Sequence, residues 1–337
     1  MILKLIDGQL HQFRMILQGD FGKDPDDVFA LMTSYNNVDV VIANLYPSSM
    51  RARLAKSVIR DIGDGDDSIP VYAGSNVCKD ILTVHDYEFD YPNLVDEDQI
   101  IKDSNPYLTI LNDGIPTIIV VNSAMTDLAT FLSTSYDKTK HNIHQIIMQG
   151  GHYQEDDGYI KPNNSANNVF DFFSAQVCFD LIQEKNIFFV LMTKKIAYAN
   201  PINKNFFKQL NLDYPNLIPM QYLERVQIQA ILELYQLASL PPQDSYRQGL
   251  PDDRDLEWFF KFIAKKPMPS KVPPASDILH FIDNFNIYDV FTVLYAIERV
   301  PLNTFCLNEL NKCCFEATAK SIINYPEYIH QSLVANL

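Results

Sequence analysis

The residues most clearly able to take part in chemistry are four aspartates that follow the first apolar run of the chain. They lie within eight residues, in the stretch GDFGKDPDDVFAL: Asp20, Asp24, Asp26 and Asp27. A helix N-terminus favours a carboxylate in its first turn, but four carboxylates close together repel one another unless a cation neutralises them. Calcium, which takes about six to eight oxygen ligands, would do so. The spacing is not that of an EF-hand, so these residues leave two interpretations open, a divalent-cation site and a solvated acidic turn.

Other reactive groups in the sequence point to no alternative chemistry. The five cysteines are scattered, without a CxxC pair or a Cys/His cluster of zinc spacing. They are typical of free thiols in a reducing compartment. No G-x-S-x-G elbow, P-loop or G-x-G-x-x-G is present, which argues against esterases, nucleoside triphosphatases and dinucleotide enzymes.

The elements that must position the aspartates are read from short apolar runs, which alternate with helical patterns. The predicted strands are Met15–Leu17, Val38–Ala43, Ile69–Tyr72, Pro116–Val121, His144–Met148 and Ile187–Met192. The predicted helices between them are Val28–Tyr35, Met50–Ile62 and Met125–Leu132. This alternation predicts an α/β fold with a mostly parallel central sheet and helices on both faces. Ligands of such sheets bind beyond the carboxyl ends of the strands, where the acidic loop lies.

The last third of the chain has a different pattern. Residues 203–265 are predicted to be mainly helical, and three further helices are predicted at Asp277–Asn284, Asp289–Val300 and Phe315–Asn324. No long flexible linker separates the two portions. We therefore expect one domain over residues 1–337, a Rossmann-like core with a helical C-terminal elaboration from about residue 203.

Charge and composition limit the partners. The chain has 42 acidic and 27 basic side chains and a formal net charge of −15, which excludes phosphate-backbone recognition and anionic membranes. Hydrophobic residues make up 47% of the chain, enough for a packed core. No apolar run reaches the length of a membrane span, and the N-terminal segment lacks a secretory apolar stretch. We expect a cytoplasmic protein that binds a small molecule, not nucleic acid or a membrane. Homo-oligomerisation is left open.

Six segments resemble, in order, those of the inosine–uridine nucleoside hydrolase family. GDFGKDPDDVFAL resembles its aspartate-rich D-x-D-P-G-x-D-D-A motif, and residues 69–74, IPVYAG, resemble its PVYxG strand. Residues 118–129 resemble GPLTNLA, and residues 146–151, IIMQGG, resemble MGG. The stretch NNVF at 167–170 resembles the ribose-binding EFN element, and Tyr288-Asp289 stands where the family has HDP. The likeness covers residues 15–300.

The resemblance implies one calcium ion per chain, which holds a water molecule and two ribose hydroxyls for hydrolysis of an N-glycosidic bond. The implied ligands are the carboxylates of Asp20, Asp27 and Asp289 and the backbone carbonyl of Thr126. Asp20 would also be the general base on the water. Asp26, Asn168 and Asn167 would contact the substrate ribose. The implied enzyme is an N-ribohydrolase that acts on a nucleoside or a related N-riboside.

Several departures from the family pattern leave alternatives open. Asp24-Pro25 are extra relative to the family spacing, so Asp24 is a second candidate for metal ligand and base. Tyr288 replaces the family histidine that would protonate the leaving group, and His152, which follows Gly150-Gly151, is another candidate for that role. A second hypothesis is therefore a non-catalytic nucleoside- or sugar-binding protein on the same scaffold.

Overall fold

The parallel sheet at the centre of the fold confirms the predicted fold class. A computed structural model describes residues 1–6, 9–65, 67–79, 82–247, 250–298, 303–307 and 313–318. Within these ranges, ten strands form one sheet in the order β13-β14-β10-β7-β6-β2-β3-β4-β5, and β1 pairs with β2. Within this sheet, seven of the nine described strand pairs are parallel, and two, β1–β2 and β13–β14, are antiparallel.

The described residues contain fourteen strands. They are β1 Ile2–Ile6, β2 Gln9–Gly19, β3 Val40–Ala43, β4 Val71–Ala73, β5 Ile101–Lys102, β6 Thr117–Val121, β7 Ile143–Gln149, β8 His152–Gln154, β9 Ile160–Pro162, β10 Phe189–Met192, β11 Ile202–Asn203, β12 Asn284–Phe285, β13 Asn303–Cys306 and β14 Cys314–Thr318. Two small antiparallel pairs, β8–β9 and β11–β12, lie outside the main sheet.

The helices connect these strands. They are α1 Asp26–Ser34, α2 Ser48–Ile62, α3 Pro106–Leu111, α4 Thr126–Thr134, α5 Tyr136–Thr139, α6 Ala166–Val169, α7 Phe172–Glu184, α8 Lys194–Ala199, α9 Phe206–Asp213, α10 Ile218–Ser239, α11 Leu256–Trp258 and α12 Val290–Ala296. A π-helical turn, Phe259–Ala264, continues from α11, and short 3-10 turns occur elsewhere. No helix of the described residues is both long enough and apolar enough to cross a membrane.

Each central strand is buried on both faces, which explains its unbroken apolar run. Along β2, Met15 and Leu17 face one hydrophobic cluster, while Ile16 faces a second cluster on the other side of the sheet. The first cluster includes residues of α1, α2, α10 and α12; the second includes residues of α3, α4 and α7. Helices therefore cover both faces and leave the strand ends as the place for a site.

The C-terminal third corrects two predictions. The helix predicted at Phe315–Asn324 is wrong over its described part, because residues 314–318 form β14 beside β10. Cys314 and Ala317 are completely buried there, so sheet packing decided an ambiguous short apolar run. Residues 319–324 lie outside the described residues. The segment predicted as a helix at Asp277–Asn284 is a 3-10 helix, Ala275–Phe281, followed by β12.

A buried arginine fixes the loop between β2 and α1. The guanidinium of Arg51, on α2, donates to the carbonyls of Asp20 and Phe21, both at 3.0 Å. It also pairs at 3.0 Å with the carboxylate of Glu88, and neither side chain is more than 2% exposed. Because the arginine binds backbone carbonyls, it sets the path of the acidic loop without neutralising its carboxylates.

Replacement of Arg51 should destabilise the fold strongly. Arg51→Met leaves the buried carboxylate of Glu88 without its partner, which costs about 3–5 kcal/mol of unfolding free energy. Urea denaturation followed by circular dichroism measures this. Lys102→Met is the matched control, because its ion pair with Glu97 is exposed and its loss should leave the midpoint unchanged. Equal effects of the two substitutions would contradict the role given to Arg51.

Candidate functional site

The predicted acidic residues converge at the carboxyl edge of the sheet. Strand β2 ends at Gly19, and α1 begins at Asp26, so the loop between them lies at this edge. Asp289 directly precedes α12, which packs against α1. Two helix N-termini therefore bring carboxylates that are distant in sequence to one place. Asp20, Asp26, Asp27 and Asp289 are all buried.

The closest group consists of Asp24, Asp26 and Asp289, whose carboxylate oxygens lie within 4.8 Å of one another. Backbone N–H groups hold three of the aspartates: Tyr288 donates to Asp26 at 2.9 Å, Asp20 donates to Asp27 at 3.0 Å, and Asp26 donates to Asp24 at 3.2 Å. The predicted ligands Asp24 and Asp289 are thus close together, and Asp26, predicted to bind ribose, lies with them.

The site concentrates negative charge that the protein itself does not neutralise. Within the described ranges, no lysine, arginine or histidine nitrogen lies within 4.0 Å of these carboxylates. Burial, reinforced by the neighbouring aspartates, raises the pKa of Asp26, Asp27 and Asp289 well above the usual value. Burial and Asp20 likewise raise the pKa of Asp24. This arrangement favours a bound cation.

One carboxylate oxygen is directly suited to a cation. Oδ2 of Asp27 accepts from the backbone of Asp20, while its Oδ1 is buried and has no hydrogen-bond partner in the described structure. A Cβ added at Gly19 would lie 2.3 Å from that Oδ1, so only glycine lets Asp27 occupy its position. An all-oxygen donor set fits a hard cation such as calcium.

Asn122, at the end of β6, was not singled out as a site residue from the sequence. Its amide nitrogen lies 3.4 Å from the carbonyl of Asp289, and its carbonyl accepts from Asn167 at 2.8 Å. Its side-chain oxygen accepts from Thr292, in α12. Asn122 therefore links Asp289, at the start of α12, to Asn167, which was predicted to contact the substrate. The available sequence signal for Asn122 was its position as a polar residue directly after an apolar strand.

Asn167 and Asn168 are both buried in the short helix α6. Asn167 also donates to the side chain of Gln149, at the end of β7. Asn168 donates at 2.8 Å to the carbonyls of Gly151 and Asn163, while its Oδ1 has no partner in the described structure. The structure thus places both asparagines at the end of β7, two strands from the acidic loop.

The carbonyl of Thr126, which the resemblance implies as a metal ligand, lies in the first turn of α4. Thr126 is the first residue of α4, and its carbonyl accepts from the hydroxyl of Thr130, one turn further along the helix. Carbonyls in a helix point toward its C-terminus, here away from the strand ends. The hydroxyl of Thr126 binds Asp171. The role implied for the Thr126 carbonyl stays a prediction.

His152 lies in a separate group at the same sheet edge. Its Nε2 is 3.7 Å from the carboxylate of Glu316, at β14, which also accepts from Thr193 and Lys195. Burial lowers the pKa of His152, an effect that Glu316 opposes. Glu316 is almost completely buried, and the sequence did not reveal it because its segment was predicted to be helical.

Tyr288 packs against Tyr198 at the rim of the acidic group. Their ring centroids are 6.3 Å apart in an edge-to-face arrangement. Burial, with smaller contributions from Tyr198 and Asp26, raises the pKa of Tyr288 above that of a free tyrosine, so its hydroxyl is a weak acid. The ring is therefore better suited to pack against a ligand than to donate a proton.

A second group of interacting side chains that the sequence did not reveal lies near Asp24. Glu233, on α10, accepts from the hydroxyl of Tyr87 and pairs with His85, and the rings of His85 and Tyr87 stack at 5.4 Å. Burial and Glu233 raise the pKa of Tyr87, with a smaller contribution from Asp24. This group therefore borders the acidic loop on the α10 side. No sequence motif identified it, because its members are far apart along the chain.

Comparisons with known proteins find similar structures but no similar sequences. No protein-family model and no curated protein sequence matches the chain. The type III effector protein XopQ, complexed with adenosine diphosphate ribose, matches with a TM-score of 0.73 at 20% identity, over 97% of this chain and 93% of that one.

Two hydrolases are also similar. The purine-preferring ribonucleoside hydrolase from Gardnerella vaginalis matches with a TM-score of 0.62 at 13% identity, over 96% of this chain and 98% of that one. The inosine-uridine preferring nucleoside hydrolase from Bacillus anthracis matches with a TM-score of 0.58 at 13% identity, over 96% and 99%. At these identities the likeness extends to the fold and not to the reaction. The chain has the nucleoside hydrolase fold.

Proposed function

We propose that the protein is a calcium-dependent N-ribohydrolase that cleaves the N-glycosidic bond of a nucleoside or a related N-riboside. The observation that carries this proposal is the convergence of Asp24, Asp26 and Asp289 within 4.8 Å at the carboxyl edge of a nucleoside hydrolase fold. Buried carboxylates with raised pKa values, and without a cationic partner, are typical of metal and catalytic sites rather than of structural ion pairs.

One calcium ion would be held by the carboxylates of Asp24, Asp26 and Asp289, with the free Oδ1 of Asp27 beside them. When bound, calcium supplies positive charge that orients a water molecule and lowers its pKa. In this arrangement Asp24 is a ligand, which leaves Asp20 as the base. The buried carboxylate of Asp20 would take the proton of the attacking water.

The ribose would be held by side chains that already lie at this edge. The side-chain Oδ1 of Asn168 is buried without a partner and can accept from a ribose hydroxyl. Asn167, fixed by Asn122 and Gln149, keeps α6 in place. As the glycosidic bond breaks, positive charge develops on the sugar, and the surrounding carboxylates stabilise it.

A second candidate function is non-catalytic binding of a nucleoside or sugar on the same scaffold. It is favoured by Tyr288, because a buried tyrosine is a poor acid for a departing base. An effector with this fold has been described in complex with adenosine diphosphate ribose, which contains ribose. This candidate keeps the calcium and ribose contacts but not the hydrolysis.

Calcium should bind at one site per chain. We expect calorimetric titration of chelator-treated protein to give a stoichiometry of one, and calcium at about 100 times Kd to stabilise the fold by about 2.7 kcal/mol. Asp289→Asn should abolish both effects, whereas Asp156→Asn, in an exposed loop, should change neither. Absence of calcium binding at millimolar concentration, in folded protein, would contradict the proposed site.

Asp20→Asn should abolish hydrolysis while the protein stays folded and binds calcium. The amide cannot accept the proton of the water, and loss of a general base costs about 10²–10⁴ in kcat. The backbone N–H of residue 20 still donates to Asp27 in this variant, so the loop should keep its shape. A reducing-sugar assay measures turnover, with Asp156→Asn as the control. Unchanged turnover would show that Asp20 is not the base.

Substrates with good leaving groups should be preferred. p-Nitrophenyl riboside needs no protonation of its leaving group, so its kcat/KM should exceed that of inosine and uridine, each tenfold gap corresponding to about 1.4 kcal/mol. Equal values would reveal an efficient proton donor, with His152 as the first residue to replace. No cleavage of any of these substrates, with calcium bound, would favour the binding function.

A further inference from the structure

The turn at Asn163, between β9 and α6, holds the side-chain amide of Asn168 by its nitrogen. That nitrogen donates at 2.8 Å to the carbonyls of Gly151 and Asn163, so both of its N–H groups are used. The reverse orientation of the amide would place its oxygen against two carbonyl oxygens, which cannot donate to it. The amide oxygen of Asn168 is therefore the atom left for a ligand. It is buried and has no partner in the described structure.

A second free oxygen lies beside the first. The hydroxyl oxygen of Ser165 is also buried and has no hydrogen-bond partner among the described residues. A Cβ built on Gly150 would lie 3.1 Å from Oδ1 of Asn168 and 3.7 Å from Oγ of Ser165, so the two oxygens face the same small space. An amide oxygen only accepts a hydrogen bond, whereas a serine hydroxyl also donates one. One hydroxyl of a ligand can therefore satisfy both, by donating to Asn168 and accepting from Ser165.

The side chain of Asn163 fixes the turn that carries these oxygens. Its Oδ1 accepts from the backbone N–H of Ser165 at 3.0 Å, and its Nδ2 donates at 3.3 Å to the carbonyl of His152, in β8. Its backbone N–H donates at 3.2 Å to the carbonyl of Gly151. One residue thus ties the turn before α6 to the start of β8.

Glycine at position 151 allows this contact, because the side chain of Asn163 packs directly on its backbone. A Cβ built on Gly151 would lie 2.2 Å from Oδ1 of Asn163 and 2.6 Å from its Nδ2. A larger residue would therefore displace the asparagine side chain. The hydrogen bonds of that side chain to Ser165 and His152 would then break, and the turn would lose its restraint.

We propose that Asn163 is a positioning residue, which presents the free oxygens of Ser165 and Asn168 to one hydroxyl of the ligand sugar, and that Ser165 is a further ligand-binding residue. The inference rests on the proposed function for the presence of a sugar at Asn168. Asn163 acts on the sugar through its neighbours and lies outside the acidic group. Its loss should therefore weaken sugar binding and leave calcium binding unchanged.

Binding of inosine to calcium-loaded Asp20→Asn protein tests the proposal without turnover. In this background Asn163→Ala and Ser165→Ala should each raise the calorimetric Kd for inosine roughly 3- to 10-fold, as expected for the loss of one hydrogen bond. Asn164→Ala, at the exposed neighbouring position, is the matched control and should leave the Kd unchanged. The Kd for calcium should be the same in all these proteins, which also shows that they are folded. The same inosine affinity in Asn163→Ala and Asn164→Ala would overturn the proposal.

Gly151→Ala separates positioning from a general loss of stability. In the Asp20→Asn background its Cβ should displace the side chain of Asn163 and weaken inosine binding as Asn163→Ala does. Once Asn163 is alanine the clash is absent, so Gly151→Ala should then have no further effect. Additive effects of the two substitutions on inosine affinity would contradict the positioning role.

Turnover with Asp20 intact separates this inference from the proposed function. With p-nitrophenyl riboside, Asn163→Ala should raise KM and leave kcat nearly unchanged, because the sugar contact is made equally in the ground state and the transition state. A lower kcat at unchanged KM would contradict the role given to Asn163. If the unaltered protein cleaves nothing, the hydrolase function falls, and the inosine affinities still decide the role of Asn163. Absence of inosine binding to the calcium-loaded Asp20→Asn protein would overturn both.

Discussion

Mutual repulsion among buried and partly buried aspartates is the constraint on which the rest of this structure depends. Asp24, Asp26 and Asp289 meet within 4.8 Å, Asp27 lies beside them, and burial raises the pKa of all four carboxyl groups. If this group served stability alone, a lysine or arginine would be expected beside it, because buried charges in proteins are usually paired. The folded chain instead supplies backbone N–H groups to individual oxygens. In the proposed function, binding of a divalent cation would recover the free energy lost in this way.

The surrounding scaffold holds the loops without supplying that missing charge. The guanidinium of Arg51 donates to the carbonyls of Asp20 and Phe21 and pairs with Glu88. Asn122 binds the N-terminal end of α12 through neutral groups. The scaffold therefore orders the acidic loop without reducing its negative charge.

The sequence predicted the sheet and part of the site for physical reasons. Strands such as β6 are buried on both faces, so their runs are unbroken, and the spacing of Asp24, Asp26 and Asp27 marks a charged loop by itself. Asp289 was accessible only through the family resemblance. Glu316 was hidden because sheet pairing, not local pattern, makes its segment a strand, and His85, Tyr87 and Glu233 meet only in the folded chain.

The most direct test of the central claim is a crystal structure of the protein grown with calcium and refined against anomalous data. One calcium ion should lie at the carboxyl edge of the sheet, about 2.3–2.6 Å from carboxylate oxygens of Asp24, Asp26, Asp27 and Asp289. The side chains should be ordered around it, with a water molecule in contact with Asp20. A well-ordered acidic loop without an anomalous peak, or a calcium ion bound only at surface carboxylates elsewhere, would contradict the account.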